Sequence, residues 1–254
     1  MDLHGKCALV TGGGSGMGAS VARMLGARGA RVAVLDLNAD AAEATAKEIA
    51  GVAFSADVAD ESSVKAALDE TISQIGIPHV VVSCAGIAPA SRILRREGPH
   101  ELDLFQDVIN TNLVGTFNVL RLCASKMAEL DPVTAAGGRG VIINTASVAA
   151  YEGQIGQAAY ASSKGGVVSL TLPAARELAR VGIRVMTIAP GLIGTPMLMK
   201  MDKDVQNSLA SQVPFPSRFG QPEEFASLVS HVIDNEMLNG EVIRLDGAIR
   251  LAPK

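Results

Sequence analysis

The sequence predicts an α/β fold: one domain over residues 1–254, built on a doubly wound parallel sheet of about seven strands with helices on both faces. Three observations predict it. Short apolar runs alternate with helical segments along the chain, as βαβ crossovers require. The first apolar run stops at a glycine cluster that opens a helix. Apolar residues make up 48% of the chain but aromatic residues only 3%, and tryptophan is absent. The core must then be built from Ala, Val, Leu and Ile, which suits parallel strands buried on both faces. Single α/β domains often reach about 250 residues, so the length needs no second domain.

Cys7, Ala8, Leu9 and Val10 form the first strand. Residues 19–29 read as a helix, with Val21, Met24, Leu25 and Arg28 at helical spacing and Gly29 ending it. Residues 31–35 are the second strand, ending at Asp36. The Ala- and Glu-rich stretch 39–50 is helical, and 52–56 is the third strand. Residues 62–75 are helical and 79–83 form the fourth strand. A long helical stretch covers 102–130, followed by a glycine-rich loop at 137–140 and a fifth strand at 141–145. Residues 158–181 are helical with Gly182 near the end, and 184–188 and 242–245 are the sixth and seventh strands. Right-handed crossovers turn this alternation into a Rossmann-type topology. The least regular stretch, 191–220, is dense in Pro, Met and polar residues. It is too long for a plain connection and is expected to bind substrate.

Charge and composition exclude several classes. Lys plus Arg number 22 against 26 Asp plus Glu, a net charge of −4, so no basic face for nucleic acid is expected. Three cysteines without a C-x-x-C pair argue against a disulfide framework and for a reducing compartment. The four histidines are scattered, with no H-E-x-x-H and no Cys/His cluster, so no metal site is expected. No apolar run reaches the roughly 18 residues of a membrane span. Only Met1 to Gly5 precede the first strand. The expectation is a cytoplasmic chain, or one in an organelle matrix if a targeting segment lies outside this sequence.

Between the first strand and first helix stand Gly12, Ser15, Gly16, Met17 and Gly18, in the spacing G-x-x-x-G-x-G. Glycines permit a tight turn and close approach of the backbone to a pyrophosphate, and the helix N-terminus offers free N–H groups. An ordinary glycine-rich turn is the competing reading. Asp36 favours the nucleotide: it ends the second strand 18 residues after Gly18, near the spacing of a ribose-binding acid. Its carboxylate would accept from a ribose diol and repel a 2′-phosphate. Neither Ser15, Leu37 nor Asn38 supplies a compensating cation, which favours NAD over NADP.

Tyr160 and Lys164 lie four apart on a predicted helix and share a face. A nearby ammonium would lower the phenol pKa and make Tyr160 a usable acid/base near neutral pH. Ser147, 13 residues before Tyr160 and just after the fifth strand, could hydrogen-bond a substrate oxygen. The chain has only two tyrosines, so this placement is more specific than a surface Tyr–Lys pair.

These motifs resemble the short-chain dehydrogenase/reductase family over nearly the whole chain. Thr11 to Gly18 resemble its T-G-x-x-x-G-x-G, and Asp57-Val58 its adenine-holding Asp-Val. Ser83-Cys84-Ala85-Gly86 stand where the family has N-N-A-G, a departure that loses both asparagines. Asn112 matches the active-site asparagine, and Ser147, Tyr160 and Lys164 the catalytic triad. Pro190-Gly191, followed by Ile193 and Thr195, match the turn lying against the nicotinamide. Residues 141–149, 182–195, 212–218 and 238–250 are similar to one group within the family, the type II 3-hydroxyacyl-CoA dehydrogenases, also described as 17β-hydroxysteroid dehydrogenase type 10-like.

The resemblance implies reversible hydride transfer between a secondary alcohol and NAD. Tyr160 would take the hydroxyl proton, Lys164 would bind the nicotinamide ribose, and Ser147 would hold the substrate oxygen. Asn112 would hold a proton-relaying water, and Gln154 would join Ser147 and Tyr160 at the substrate. The implied substrate is an acyl-CoA and the implied assembly a homotetramer. A steroid, a polyol or an acyl-carrier-protein ester is the alternative substrate, and a non-catalytic NAD-binding scaffold the alternative class. Cys84 reads as a small packing residue. Arg92, Arg95 and Arg96 read either as solvated loop charges or as partners for the CoA phosphates.

Overall fold

The computed structural model describes residues 1–199 and 202–253. Runs of β-branched and small apolar residues become strands: β1 (Cys7–Thr11), β2 (Arg31–Asp36), β3 (Val52–Ser55) and β4 (Pro78–Ser83), then β5 (Leu94–Arg95) and β6 (Gly98–Pro99), and finally β7 (Gly140–Thr145), β8 (Ile183–Pro190) and β9 (Val242–Leu245). A parallel 7-stranded sheet has the order β3-β2-β1-β4-β7-β8-β9, while β5 and β6 make a small antiparallel hairpin.

The helices are α1 (Gly16–Ala27), α2 (Ala39–Glu48), α3 (Glu61–Ile75), α4 (Leu102–Ile109), α5 (Gly115–Met127), α6 (Ala158–Leu178), α7 (Pro196–Met199), α8 (Lys203–Ser211) and α9 (Pro222–Asp234). Side chains alternate along each strand, so the sheet feeds two cores. Ala8 and Val10 of β1 pack with Val21 of α1, Ala42 of α2 and Phe225 of α9. Cys7 and Leu9 pack on the other face with Leu68 of α3, Val119 of α5 and Ala175 of α6. Among the described residues no helix is long and apolar enough to cross a membrane.

Three differences from the sequence reading have physical causes. The stretch 102–130 is not one helix: a π-helical turn at Asn110–Val114 separates α4 from α5. Such a turn inserts a residue and re-aims side chains, and it often marks a functional site. The stretch 191–220 is partly regular, since it holds α7 and α8; its Lys200 and Met201 lie outside the described residues. Helix α9, unread from the sequence, begins with Pro222 in its first turn, where a missing N–H costs nothing. The Glu224 carboxylate accepts from the Gln221 N–H at 2.7 Å and is gripped by Arg218 through two bonds of 2.8 Å.

The Arg218 guanidinium first, and the Gln221 N–H second, hold the Glu224 carboxyl down at about 2. A depressed carboxyl stabilises the fold above its ordinary value and loses that contribution as pH falls through its folded value. Glu224→Ala is therefore expected to cost about 1 kcal/mol at neutral pH, read as a Tm lower by about 2–4 °C. In thermal melts the gap should be full above pH 4.5 and should narrow below it, toward about 2.

Candidate active site

The strands run parallel, so their C-terminal ends share one edge of the sheet. The chain reverses its direction of winding between β1 and β4, which leaves a crevice there. A cavity of about 790 Å³ occupies this edge.

One end is built on glycine. Gly12 turns at a φ of 63°, and a Cβ there would lie 2.6 Å from the Ala85 nitrogen. A Cβ on Gly18 would lie 2.1 Å from the Gly12 carbonyl oxygen. The turn, α1 and the loop after β4 can meet only because these side chains are absent. Ser15, Gly16, Met17 and Gly18, at the start of α1, line the cavity, and no acid stands in the helix's first turn. Asp36 does more than its spacing announced. Its Oδ2 accepts from the Gly14 N–H at 2.9 Å and its Oδ1 from the Asn38 N–H at 3.0 Å, tying the glycine loop to the end of β2. Leu37, 72% exposed, lines the cavity beside it. Among the described residues Lys164 is the only lysine or arginine lining this cavity.

The loops after β3 and β4 form the middle wall. Asp57 turns its own loop, its Oδ1 accepting from the Ala59 N–H at 2.9 Å. The Val58 carbonyl accepts from Asn118 Nδ2 at 3.0 Å. Cys84, Ala85 and Gly86 follow β4, with the Cys84 N–H donating to the Thr11 carbonyl at 3.0 Å. Burial pushes the Cys84 thiol up to about 11, and its Sγ lies 3.6 Å from the Thr145 hydroxyl. It is a protonated packing group at neutral pH.

The far end carries the chemistry. Ser147 leaves β7 in extended conformation, and its Oγ accepts from the Ala149 N–H at 3.1 Å, capping the 3₁₀ turn Val148–Ala150. Helix α6 presents Tyr160 and Lys164 one turn apart. Ser147 lies close enough to Tyr160 to act on its phenol. Lys164 is buried, with its Nζ donating to the Thr145 carbonyl at 2.8 Å and standing 5.8 Å from the Tyr160 ring centroid. Desolvation lowers the Lys164 ammonium to about 8. The phenol does not follow the sequence expectation. Burial raises the Tyr160 pKa above its ordinary value, and the Ser147 hydrogen bond opposes the rise. The Lys164 ammonium lies over the ring and bonds to Thr145, so it is not aimed at the phenol oxygen. Pro190, Gly191, Ile193 and Thr195 close this end after β8.

Two predicted site residues stand apart from the cavity lining. Asn112 is fully buried on the π-helical turn. Its Nδ2 donates to the Ile87 carbonyl at 2.9 Å and to Ser163 Oγ at 3.0 Å, and its Oδ1 accepts from the Ile87 N–H at 2.8 Å. The side chain thus clamps the loop after β4, and both of its polar atoms are engaged. Gln154 lines a separate groove of about 520 Å³ with Arg92, Ile93 and Gln157. Its Nε2 donates to the Ala252 carbonyl at 3.0 Å, which turns it toward the C-terminal segment. Conversely, Ile87, Asp107, Asn110 and Thr111 line the cavity without having been read from the sequence. Asn110 and Thr111 sit in the π-helical turn, with Asp107 in the last turn of α4 before it, a feature that 3.6-residue periodicity hides.

The sequence profile of the family described as short chain dehydrogenase matches residues 6–206. The chain is 56% identical to 3-hydroxyacyl-CoA dehydrogenase type-2 of Bos taurus, covering 99% of this chain and 98% of that one. It is 54% identical to the Homo sapiens protein of the same name, with the same coverage of 99% and 98%. The crystal structure of 3-hydroxyacyl-CoA dehydrogenase type-2 from Mycobacterium avium superposes with a TM-score of 0.94 at 42% identity, covering 98% of each chain. The chain belongs to the short-chain dehydrogenase family and is an oxidoreductase.

Proposed function

We propose that the chain is an NAD-dependent 3-hydroxyacyl-CoA dehydrogenase, interconverting a 3-hydroxyacyl-CoA and the 3-oxoacyl-CoA. One observation carries this reading. A single cavity holds a glycine-walled, helix-capped end closed by Asp36 and, at its other end, Ser147, Tyr160 and Lys164. The names of the relatives support the acyl-CoA. The family works with nicotinamide dinucleotides, and the residues fit one. Gly12 and Gly18 leave no space for a Cβ, so the loop packs tightly against the start of α1, whose N-terminal end, lined by Ser15, Gly16, Met17 and Gly18, faces the cavity and suits an anion. When bound, the dinucleotide supplies the hydride acceptor or donor.

The chain's own residues do the rest. Ser147 Oγ and Tyr160 Oη converge on the substrate oxygen and fix its distance from the cofactor end of the cavity. In oxidation Tyr160 gives up its phenolic proton to solvent and takes the substrate's hydroxyl proton as the phenolate; in reduction the phenol donates its proton to the substrate oxygen and is reprotonated from solvent. Lys164, cationic below about 8, is held on the Thr145 carbonyl and places its charge 5.8 Å from the Tyr160 ring centroid, beside the ring rather than on the phenol oxygen. Thr145 orients Lys164, and Asn112 holds the Ile87 backbone that forms the opposite wall. Asp36 and Leu37 favour NAD, since a 2′-phosphate would meet a carboxylate and no cation. Homotetrameric assembly belongs to the same proposal, and exposed Val114, Phe117 and Leu172 supply apolar surface that a second copy could cover. So does a cytoplasmic or organelle-matrix placement, in keeping with three free cysteines.

The hairpin β5–β6 refines the arginine reading. Arg95 is committed to Glu101 at 2.9 Å and to the Pro99 carbonyl at 3.1 Å. Arg92 and Arg96 have no ion pair among the described residues and are the groups left for CoA phosphates.

Three measurements test the proposal. With a short 3-hydroxyacyl-CoA, Tyr160→Phe should lose turnover by roughly 10²–10⁴-fold while calorimetry finds the NAD dissociation constant unchanged. Retention of a tenth of the activity would reject Tyr160 as the acid/base. Wild type should bind NAD at least about 10-fold more tightly than NADP, a difference of about 1.4 kcal/mol; Asp36→Ala with Leu37→Arg should reverse that order in the same titrations. Arg92→Ala with Arg96→Ala should raise KM for an acyl-CoA several-fold, more at low salt, and leave KM for a small CoA-free alcohol unchanged. Equal effects on both substrates would remove the CoA role from the hairpin.

A further inference from the structure

Twelve residues lie between Ser147 and Tyr160, and most of them form no regular element. After the 3₁₀ turn, residues 151–157 run as turn and coil, with Gly156 at a φ of 91°. A glycine-containing loop has little rigidity of its own. Yet it is the covalent link between the two groups that converge on the substrate oxygen, and it must be held from outside.

The holding group stands on β9. Arg244 grips Glu152 with both arms of its guanidinium, Nη1 to Oε1 at 2.7 Å and Nη2 to Oε2 at 2.9 Å. Its Nε donates to Asp246 Oδ2 at 2.7 Å, and Nη2 also donates to the Ile249 carbonyl at 3.0 Å. The guanidinium carbon lies 5.2 Å from the Tyr151 ring centroid, the stacking a planar cation favours. Thus the two residues directly after the 3₁₀ turn, Tyr151 and Glu152, are both seated on one side chain. The pair is mostly withdrawn from water, with 22% and 23% of the Arg244 and Glu152 side chains exposed. The hydrogen bond from Arg244 holds the Glu152 carboxyl below its ordinary range.

Two further contacts extend the clamp. The Ile155 N–H donates to the Pro253 carbonyl at 3.0 Å, so the segment after β9 braces the loop a second time. On its other flank the Gly156 carbonyl accepts from the Ser91 N–H at 2.8 Å, joining the loop to the segment that leads into the β5–β6 hairpin. Neither Arg244 nor Glu152 lines the 790 Å³ cavity.

We infer that Arg244 is a positioning residue: through Glu152 and Tyr151 it fixes the 151–157 loop and so sets the spacing of Ser147 and Tyr160 and the seat of the substrate hairpin. It touches no reacting atom. Without it, the Glu152 and Asp246 carboxylates would keep only the more exposed Arg250, at 3.6 Å and 3.2 Å, and the loop would lose the two-armed grip and the ring contact that seat Glu152 and Tyr151. A misplacement of about 1 Å at reacting groups can cost on the order of 10²-fold in rate. The glycine end of the cavity is built on α1, β2 and β4 and does not share this support.

The inference rests on the dehydrogenase reading, and its test separates the two. Arg244→Met, Arg244→Lys and Glu152→Gln are compared with wild type by steady-state kinetics, NAD titration and amide hydrogen exchange. Arg244→Met should lower kcat by about 10- to 100-fold and raise KM for the substrate, with the NAD dissociation constant within about twofold of wild type. Arg244→Lys should recover only part of kcat, because an ammonium cannot make the two-armed grip. Exchange should quicken across residues 151–157 and stay unchanged in the glycine loop, a readout that needs no turnover. The double variant Arg244→Met with Glu152→Gln should be no slower than Arg244→Met alone, as expected of groups acting as one unit. The clamp is overturned if exchange at 151–157 stays at the wild-type rate, if folded variants keep kcat, or if NAD binding falls as far as kcat. Wild type inactive toward every alcohol and ketone, with exchange quickened as expected, would reject the dehydrogenase reading and leave the clamp standing.

Discussion

An ammonium group buried at the mouth of a parallel sheet is the constraint around which this site is arranged. Removing a lysine from water costs several kcal/mol unless a partner is supplied, and the depressed pKa of Lys164, about 8, registers that cost. The partner is one backbone carbonyl, that of Thr145 at the C-terminal end of β7. That bond requires α6 to run close over the end of the sheet. Gly166 permits the approach of α6 to the helices beside it, since a Cβ there would lie 2.5 Å from Leu113. It also requires the loop after β4 to pass in front, where a Cβ on Gly86 would lie 3.6 Å from the Lys164 Nζ and 3.0 Å from Asn112 Oδ1. The Asn112 clamp on Ile87 then keeps that loop in place. Stability is given up at one side chain, and the surrounding packing exists to hold it there.

What could be read from the sequence follows the range of the forces involved. Strand and helix order depends on local periodicity, so the seven-stranded sheet and its two covered faces were legible. The glycine spacing was legible because close backbone approach excludes every other residue type. Asp36 was legible as an acid at a strand end, but its bond to Gly14, 22 residues away, was not. The π-helical turn at Asn110–Val114 leaves no mark in an apolar pattern read at 3.6 residues per turn, so the residues it re-aims were missed. The Gln154 partner was hidden for the same reason of range: it is Ala252, 98 residues on. The Tyr160 pKa shows the limit most sharply. Spacing establishes that Lys164 is on the same face, whereas the direction of its Nζ is set by a carbonyl on another strand.

The charges lining the cavity bear on how it can hold a dinucleotide. Among the described lining residues the carboxylates are Asp36, Asp57 and Asp107, against the single ammonium of Lys164 at the opposite end from the glycine loop. A pyrophosphate entering such a site finds no side-chain cation to pair with. Its charge has to be met by main-chain N–H groups and by the positive end of α1. Glycine at Gly12, Gly14 and Gly18 lets the loop pack within 3 Å of the loop after β4, α2 and its own backbone, where a methyl group would strike a neighbour, and so holds the start of α1 at the cavity. On the NAD reading proposed above, the same absence of cations that would turn away an extra phosphate at Asp36 leaves the required phosphates to the backbone. On that reading a cation added near Leu37 would act on the choice between the two dinucleotides while leaving the packing of the glycine loop intact.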